Sequence, residues 1–249
     1  MSQHRTERPH RRALRTTASA LAALTLLLGW SAATGSTAYA QEASAPATAP
    51  TAANSRAVEV RGGDILYGSG GIRCNVGFNA HSGTATYGMM PGHCALGSTN
   101  WYADAARTIF VGTTAGSSFP SNDYSVISYV TGVNALGEVG LGPGGGVQDI
   151  VSAANPTVGQ SICHVGGTTG IHCGTVTGTN VTINYPEGMV SGLFSSNICS
   201  EPGDVGGPGF SGTTALGIIV ASSGSCASGG VTYYQPVVEW LSAYGLSIY

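Results

Sequence analysis

From Val60 to the C-terminus, apolar residues fall in short runs separated by Gly, Ser and Asn turns. The stretches 72–78 (IRCNVGF), 108–111 (TIFV), 124–127 (YSVI) and 182–185 (TINY) are rich in β-branched and aromatic residues, and none is long enough for a stable helix. Many short strands at close spacing predict an all-β chain, either antiparallel barrels or a sandwich. The one helical pattern is the end of the chain, 236–244 (PVVEWLSAY). Pro236 fits a first helical turn and Gly245 a helix stop, because proline pre-sets φ and glycine tolerates the left-handed conformation that ends a helix.

Composition narrows the setting. The 249 residues include 39 glycines and only 8% charged residues; lysine is absent, so all nine basic residues are arginine. Five of those arginines lie in residues 1–40. Residues 41–249 keep four arginines against eleven acids, a net of −7, which provides no basic footprint for nucleic acid. Arg11, Arg12 and Arg15 precede an apolar run over 18–30, and Ala38-Tyr39-Ala40 supplies a small-x-small cleavage site. Residues 1–40 therefore predict a signal peptide, with general or twin-arginine export both open, and no membrane attachment after its removal. A membrane anchor is the alternative, although the run is shorter than the roughly 20 residues that span a bilayer. Residues 41–59, mostly Ala, Thr, Ser and Pro, predict a short linker or pro-piece with little to bury.

Export permits disulfides, and six cysteines (Cys74, Cys94, Cys163, Cys173, Cys199 and Cys226) allow 15 pairings. No Cys-x-x-Cys or Cys/His spacing suited to zinc is present, so no metal or other cofactor is expected.

Three segments carry candidate chemistry. Gly203-Asp204-Val205-Gly206-Gly207-Pro208 is very similar to the nucleophile loop G-D-S-G-G-P of chymotrypsin-like serine peptidases. Met90-Pro91-Gly92-His93-Cys94 resembles that family's T-A-G-H-C, and Asn122-Asp123-Tyr124 its N-D-Y. The order His, Asp, nucleophile position is the chymotrypsin order. With 118–120 (SFP), 168–174 (TTGIHCG) and 235–237 (QPV), the resemblance to the bacterial streptogrisin and alpha-lytic group runs from about Gly62 to Tyr249.

That resemblance implies two six-stranded antiparallel β-barrels, roughly 60–142 and 147–235, with 142–146 (GPGGG) as the crossing and the helix 236–244 closing a domain over 60–249. It implies sequential disulfides: Cys74 with Cys94, Cys163 with Cys173, and Cys199 with Cys226. It casts His93 as general base, Asp123 as its orienting carboxylate, and the N–H groups of Gly203 and residue 205 as oxyanion hole. Val205, however, stands where the family has its serine, and valine has neither oxygen nor transferable proton. Further departures gather around it. Val220-Ala221-Ser222 replaces the substrate-pairing S-G-G, so side chains are expected at the mouth of the specificity pocket. Pro91 replaces an alanine beside His93. His164 replaces an arginine, which is expected to leave Asp204 without its charge partner and the oxyanion loop free to drift. His172 is expected to be structural. Relatives of this kind carry a folded pro-domain, which some twenty residues cannot form.

The functional expectation is a secreted, monomeric, inactive homologue of a serine endopeptidase that binds peptide or protein. The alternatives are a residually active serine endopeptidase, with Ser200 as the one serine close in sequence, and a purely structural extracellular protein.

Overall fold

The computed structural model describes residues 57–249; the expected signal peptide and the linker up to residue 56 lie outside the described residues. The first half carries β1 (Val58–Gly62), β2 (Ile65–Gly68), β3 (Arg73–Asn75), β4 (Asn79–Ser82), β5 (Ala85–Met90), a 3₁₀ turn (His93–Ala95), β6 (Asn100–Tyr102), β7 (Phe110–Ser118), β8 (Tyr124–Tyr129) and β9 (Val133–Gly140). β1 starts two residues before the expected domain boundary, because Val58, Glu59 and Val60 pair in parallel with Val133, Asn134 and Ala135. β2 to β8 form a seven-stranded sheet in the order β3-β2-β6-β7-β8-β5-β4. Strand β2 shows the alternation of half-buried and buried positions that places one face on the core.

Gly142 to Gly146 form the loop of a hairpin. β10 (Val147–Asp149) turns back antiparallel along β9, and Gly142, Gly144 and Gly146 all have positive φ. The chain then enters the second half through β11 (Ser152–Ala153). There follow β12 (Ser161–Gly166), β13 (Gly170–Tyr185), β14 (Gly188–Ser196), β15 (Pro208–Ser211), β16 (Thr214–Ser225) and β17 (Gly229–Pro236). Their order is β16-β15-β12-β13-β14-β17, and β17 pairs again with β16, closing a six-stranded antiparallel ring. The chain is thus all-β with two barrel-like sheets and one C-terminal helix. Closure leaves that ring without free edges.

One core cluster spans both halves, with Phe78, Met89 and Val126 of the first packed together with Leu193, Phe210 and Ile218 of the second. The helix α1 (Val237–Tyr244) completes it, with Trp240 fully buried and stacked on Tyr124 at 5.8 Å. Pro236 caps α1 and Gly245 ends it at φ 61°, its N–H donating to Leu241 and Ser242 carbonyls. Beyond the helix, Ser247 exchanges two backbone hydrogen bonds with His81 of β4, both 2.9 Å. Three disulfides, Cys74–Cys94, Cys163–Cys173 and Cys199–Cys226, complete the domain in the expected sequential pairing.

Candidate active site

His93 opens the 3₁₀ turn after β5, and Asp123 immediately precedes β8. Strands β5 and β8 pair directly, with Met90 opposite Ser125, and this register brings residues thirty positions apart into contact. Asp123 takes the His93 backbone N–H on one oxygen at 2.9 Å and Nδ1–H of the imidazole on the other at 2.7 Å. The carboxylate is fully buried, while the imidazole is 23% exposed. The Asp123 N–H donates to Gln235 Oε1 at 2.9 Å, so the second half also grips this residue. A buried carboxylate held at both oxygens fixes the ring orientation and tautomer, leaving Nε2 for chemistry or for a ligand.

A residue with no sequence-level signal completes the group. The Tyr185 hydroxyl donates to the Val220 carbonyl at 3.1 Å and lies 3.5 Å from Asp123 Oδ2. Burial, and secondarily the Asp123 charge, push its pKa well up, so the hydroxyl stays protonated and can only donate to them. Its ring lies 6.1 Å from that of His93 and 5.2 Å from Phe119, which itself is 5.9 Å from His93. Tyr185 ends β13, 62 residues from Asp123 in sequence, so neither spacing nor pattern could reveal the contact.

The loop 203–207 is held by its backbone. Gly203 and Gly206 have φ of 102° and 90°, angles that L side chains rarely adopt. Asn75 of β3 donates its side-chain amide to the carbonyls of Gly203 (2.9 Å) and Val205 (2.7 Å), and its N–H to Val205 O at 3.1 Å. The Gly206 N–H donates to Ile219 O, and Gly207 accepts from the Ile219 N–H. Among the described residues, no partner takes the N–H of Gly203 or of Val205. The Val205 side chain is half-buried against the cluster containing Cys74, Met90 and Cys94, the last being the residue after His93.

The expectation of a loosely held Asp204 is corrected. Its carboxylate is fully buried and accepts from the N–H groups of Thr168 (2.8 Å), Thr169 (3.0 Å) and Glu201 (2.8 Å), and from the Thr169 hydroxyl (2.9 Å). Four donors do what a single cation was expected to do. His164 makes no ion pair: it is buried, with Nδ1 2.7 Å from the Tyr234 hydroxyl. Burial pushes its pKa down from 6.5 to about 4, against the raising effect of Asp204 and with a smaller lowering from His172. His172 donates from Nε2 to the Thr169 carbonyl at 3.1 Å, a structural contact that steadies the segment holding Asp204.

The strand 220–222 divides. The Val220 side chain is 2% exposed inside the core cluster, on the same face of β16 as Ile218. Ala221 is half-buried and Ser222 exposed, so these two remain available to a ligand. Ser200 is 3% exposed and its Oγ accepts from the Thr232 hydroxyl at 3.0 Å. A cavity of about 820 Å³ lies away from the dyad, lined by Glu59, Asp64, Tyr67, Thr168 and Thr169 among others. Among the described residues no cluster of His, Cys, Asp or Glu could hold a metal ion.

A His–Asp pair where two barrel-like halves meet, with a glycine loop from the second half packed beside it through Val205 and Cys94, is the layout of the chymotrypsin-like fold. The comparisons agree. The chain is 46% identical over 175 residues to Serine protease 2 of Streptomyces fradiae, covering 70% of this chain and all of that one. It is 43% identical to Streptogrisin-A of Streptomyces griseus, over 76% of this chain and 61% of that protein. The solved structure of alpha-lytic protease homolog N4 superposes with a TM-score of 0.72 at 50% identity, covering 77% of this chain and all of the other. No family model matches the chain. The chain belongs to the chymotrypsin-like bacterial serine proteases, the family of the streptogrisins and alpha-lytic protease homologues.

Proposed function

We propose that the domain is a secreted peptide-binding protein on a peptidase scaffold, catalytically inactive because Val205 stands in the serine's place. The observation that carries this reading is the loop itself. Asp204 and Gly206 flank an aliphatic side chain, while Asn75 and the Asp204 donors keep the loop in an ordered form. In the family's reaction the serine oxygen attacks the carbonyl carbon while histidine takes the hydroxyl proton, and the oxyanion N–H groups receive the developing negative charge. Here His93 is oriented by Asp123 but has no hydroxyl to deprotonate. The Gly203 and Val205 N–H groups retain the capacity to receive a peptide carbonyl, which serves binding without bond cleavage. Removing a triad member typically leaves only about 10³–10⁴ over water.

Peptide contact is assigned to His93, to the N–H groups of Gly203 and Val205, and to Ala221 and Ser222. Secretion is supported by the basic, apolar and A-x-A succession in residues 1–40 and by three disulfides, which persist in oxidising compartments. The residually active alternative needs another nucleophile, and Ser200 is buried and already hydrogen-bonded. Purified protein is to be treated with a fluorophosphonate probe and a broad peptide-hydrolysis panel, alongside peptide-binding measurements. The expected outcome is no covalent labelling and no turnover, with saturable peptide binding. Stoichiometric labelling at any residue of the cleft would overturn the proposal.

A further inference from the structure

Cations are scarce in this domain. Residues 57–249 contain three arginines, no lysine and ten acids. Arg61 is paired with Glu59 at 2.9 Å and with Glu138. Arg73 and Arg107 have no carboxylate partner among the described residues. With acids in such excess, two free guanidinium groups would each be expected to attract a carboxylate. Instead Arg73 and Arg107 are both lining residues of one small cavity of about 190 Å³, together with Tyr67 and Ile72. Arg107 donates only to the Ser69 carbonyl, at 3.3 Å, and its backbone is held at φ 57°, which is uncommon outside glycine. The nearest acid in sequence, Asp104, is occupied: its carboxylate accepts from the N–H groups of Thr108 and Ile109 and from the Thr108 hydroxyl.

The cavity adjoins the candidate site. Arg73 precedes Cys74, which is bonded to Cys94, the residue after His93. Its Nη2 lies 3.0 Å from the point a Cβ on Gly203 would occupy, so the guanidinium rests against the oxyanion loop. An anion held here would therefore belong to something that also crosses that loop. Guanidinium groups present paired N–H donors that match the two oxygens of a carboxylate.

We propose that Arg73 and Arg107 form a carboxylate-binding subsite for a peptide lying across the Gly203 loop, taking either an Asp or Glu side chain or the peptide's own C-terminus. This rests on the peptide-binding reading above. The test uses fluorescein-labelled hexapeptides in which a single Glu is walked through the sequence, each paired with its Gln counterpart, and with free-acid or amidated C-termini. Fluorescence anisotropy gives the affinities. One Glu position, or the free C-terminus, should bind roughly tenfold tighter than its amide partner, in keeping with hydrogen bonds to charged groups. That ratio should fall to about one in Arg73→Gln/Arg107→Gln and should survive in Arg61→Gln. Both arginine side chains are exposed, and thermal melting checks that the double variant is folded. Peptides that bind with no acid-over-amide difference, or a difference that survives in the double variant, would overturn the subsite and leave the peptide-binding reading intact. Failure of every peptide, acidic or neutral, to bind would overturn both.

Discussion

Acidification from pH 7 to pH 4 should destabilise this protein through one buried ring. His164 has no exposed surface, and burial lowers its pKa from 6.5 to about 4 even though Asp204 pulls the other way. The unfolded chain therefore takes up this proton near pH 6.5 and the folded protein only near pH 4. Between those values the unfolded state binds more protons, so stability falls as pH falls. The contribution is complete above about pH 6.5 and gone below about pH 4. At about 1.4 kcal/mol per pH unit, the interval amounts to roughly 3 kcal/mol. For a domain of this size that corresponds to roughly 10 °C in Tm. The assay is urea unfolding at several pH values for the wild type and for His164→Gln, which is neutral throughout. Taking the difference between the two removes every other titrating group. The stability advantage of wild type over variant should shrink by about 3 kcal/mol from pH 7 to pH 4. Parallel curves would refute the reasoning, and so would an NMR titration showing the His164 ring protonating near its ordinary value in the folded state.

Asp204→Asn should cost about 3 kcal/mol in urea unfolding, because an amide offers one acceptor oxygen to four donors and buries two N–H groups of its own. Tyr185→Phe should cost only about 1 kcal/mol while altering the NMR signals of the His93 ring, since the lost hydroxyl bridges Val220 to Asp123. Unchanged His93 signals would show that the hydroxyl does not reach the carboxylate. Val205→Ser should restore fluorophosphonate labelling but leave kcat/KM at least about 10²-fold below a streptogrisin-type enzyme, because small misplacements of the scissile carbonyl are costly. Full activity from that single change would mean that strand 220–222 is not a second defect.

The strand-rich character, the C-terminal helix and its stops were legible because they depend on local pattern: Pro236 and Gly245 sit where helix chemistry requires them. The pairing of Cys74 with Cys94, and the meeting of His93 with Asp123, came from motif resemblance; nothing in their spacing shows that β5 lies beside β8. The hold on Asp204 is invisible to a search for an arginine partner. The actual donors are mostly backbone N–H groups, which every non-proline residue carries and which leave no mark in a sequence. Tyr185 lay within a run that read only as strand, because its second role depends on a partner from the other half of the domain.

Asn75 grips the 203–207 loop by two carbonyl oxygens, neither of which belongs to a side chain. The grip is therefore blind to what residue 205 is. A lineage could exchange Val205 for another side chain that fits beside Cys74, Met90 and Cys94 and still keep the loop hydrogen-bonded. Screens that score yield, solubility or melting temperature would rank a working hydrolase and a silent one alike. Among proteins built this way, the loss of chemistry leaves no trace in the loop's hydrogen bonds, and it takes a substrate or reagent that meets the side chain at 205 to tell them apart.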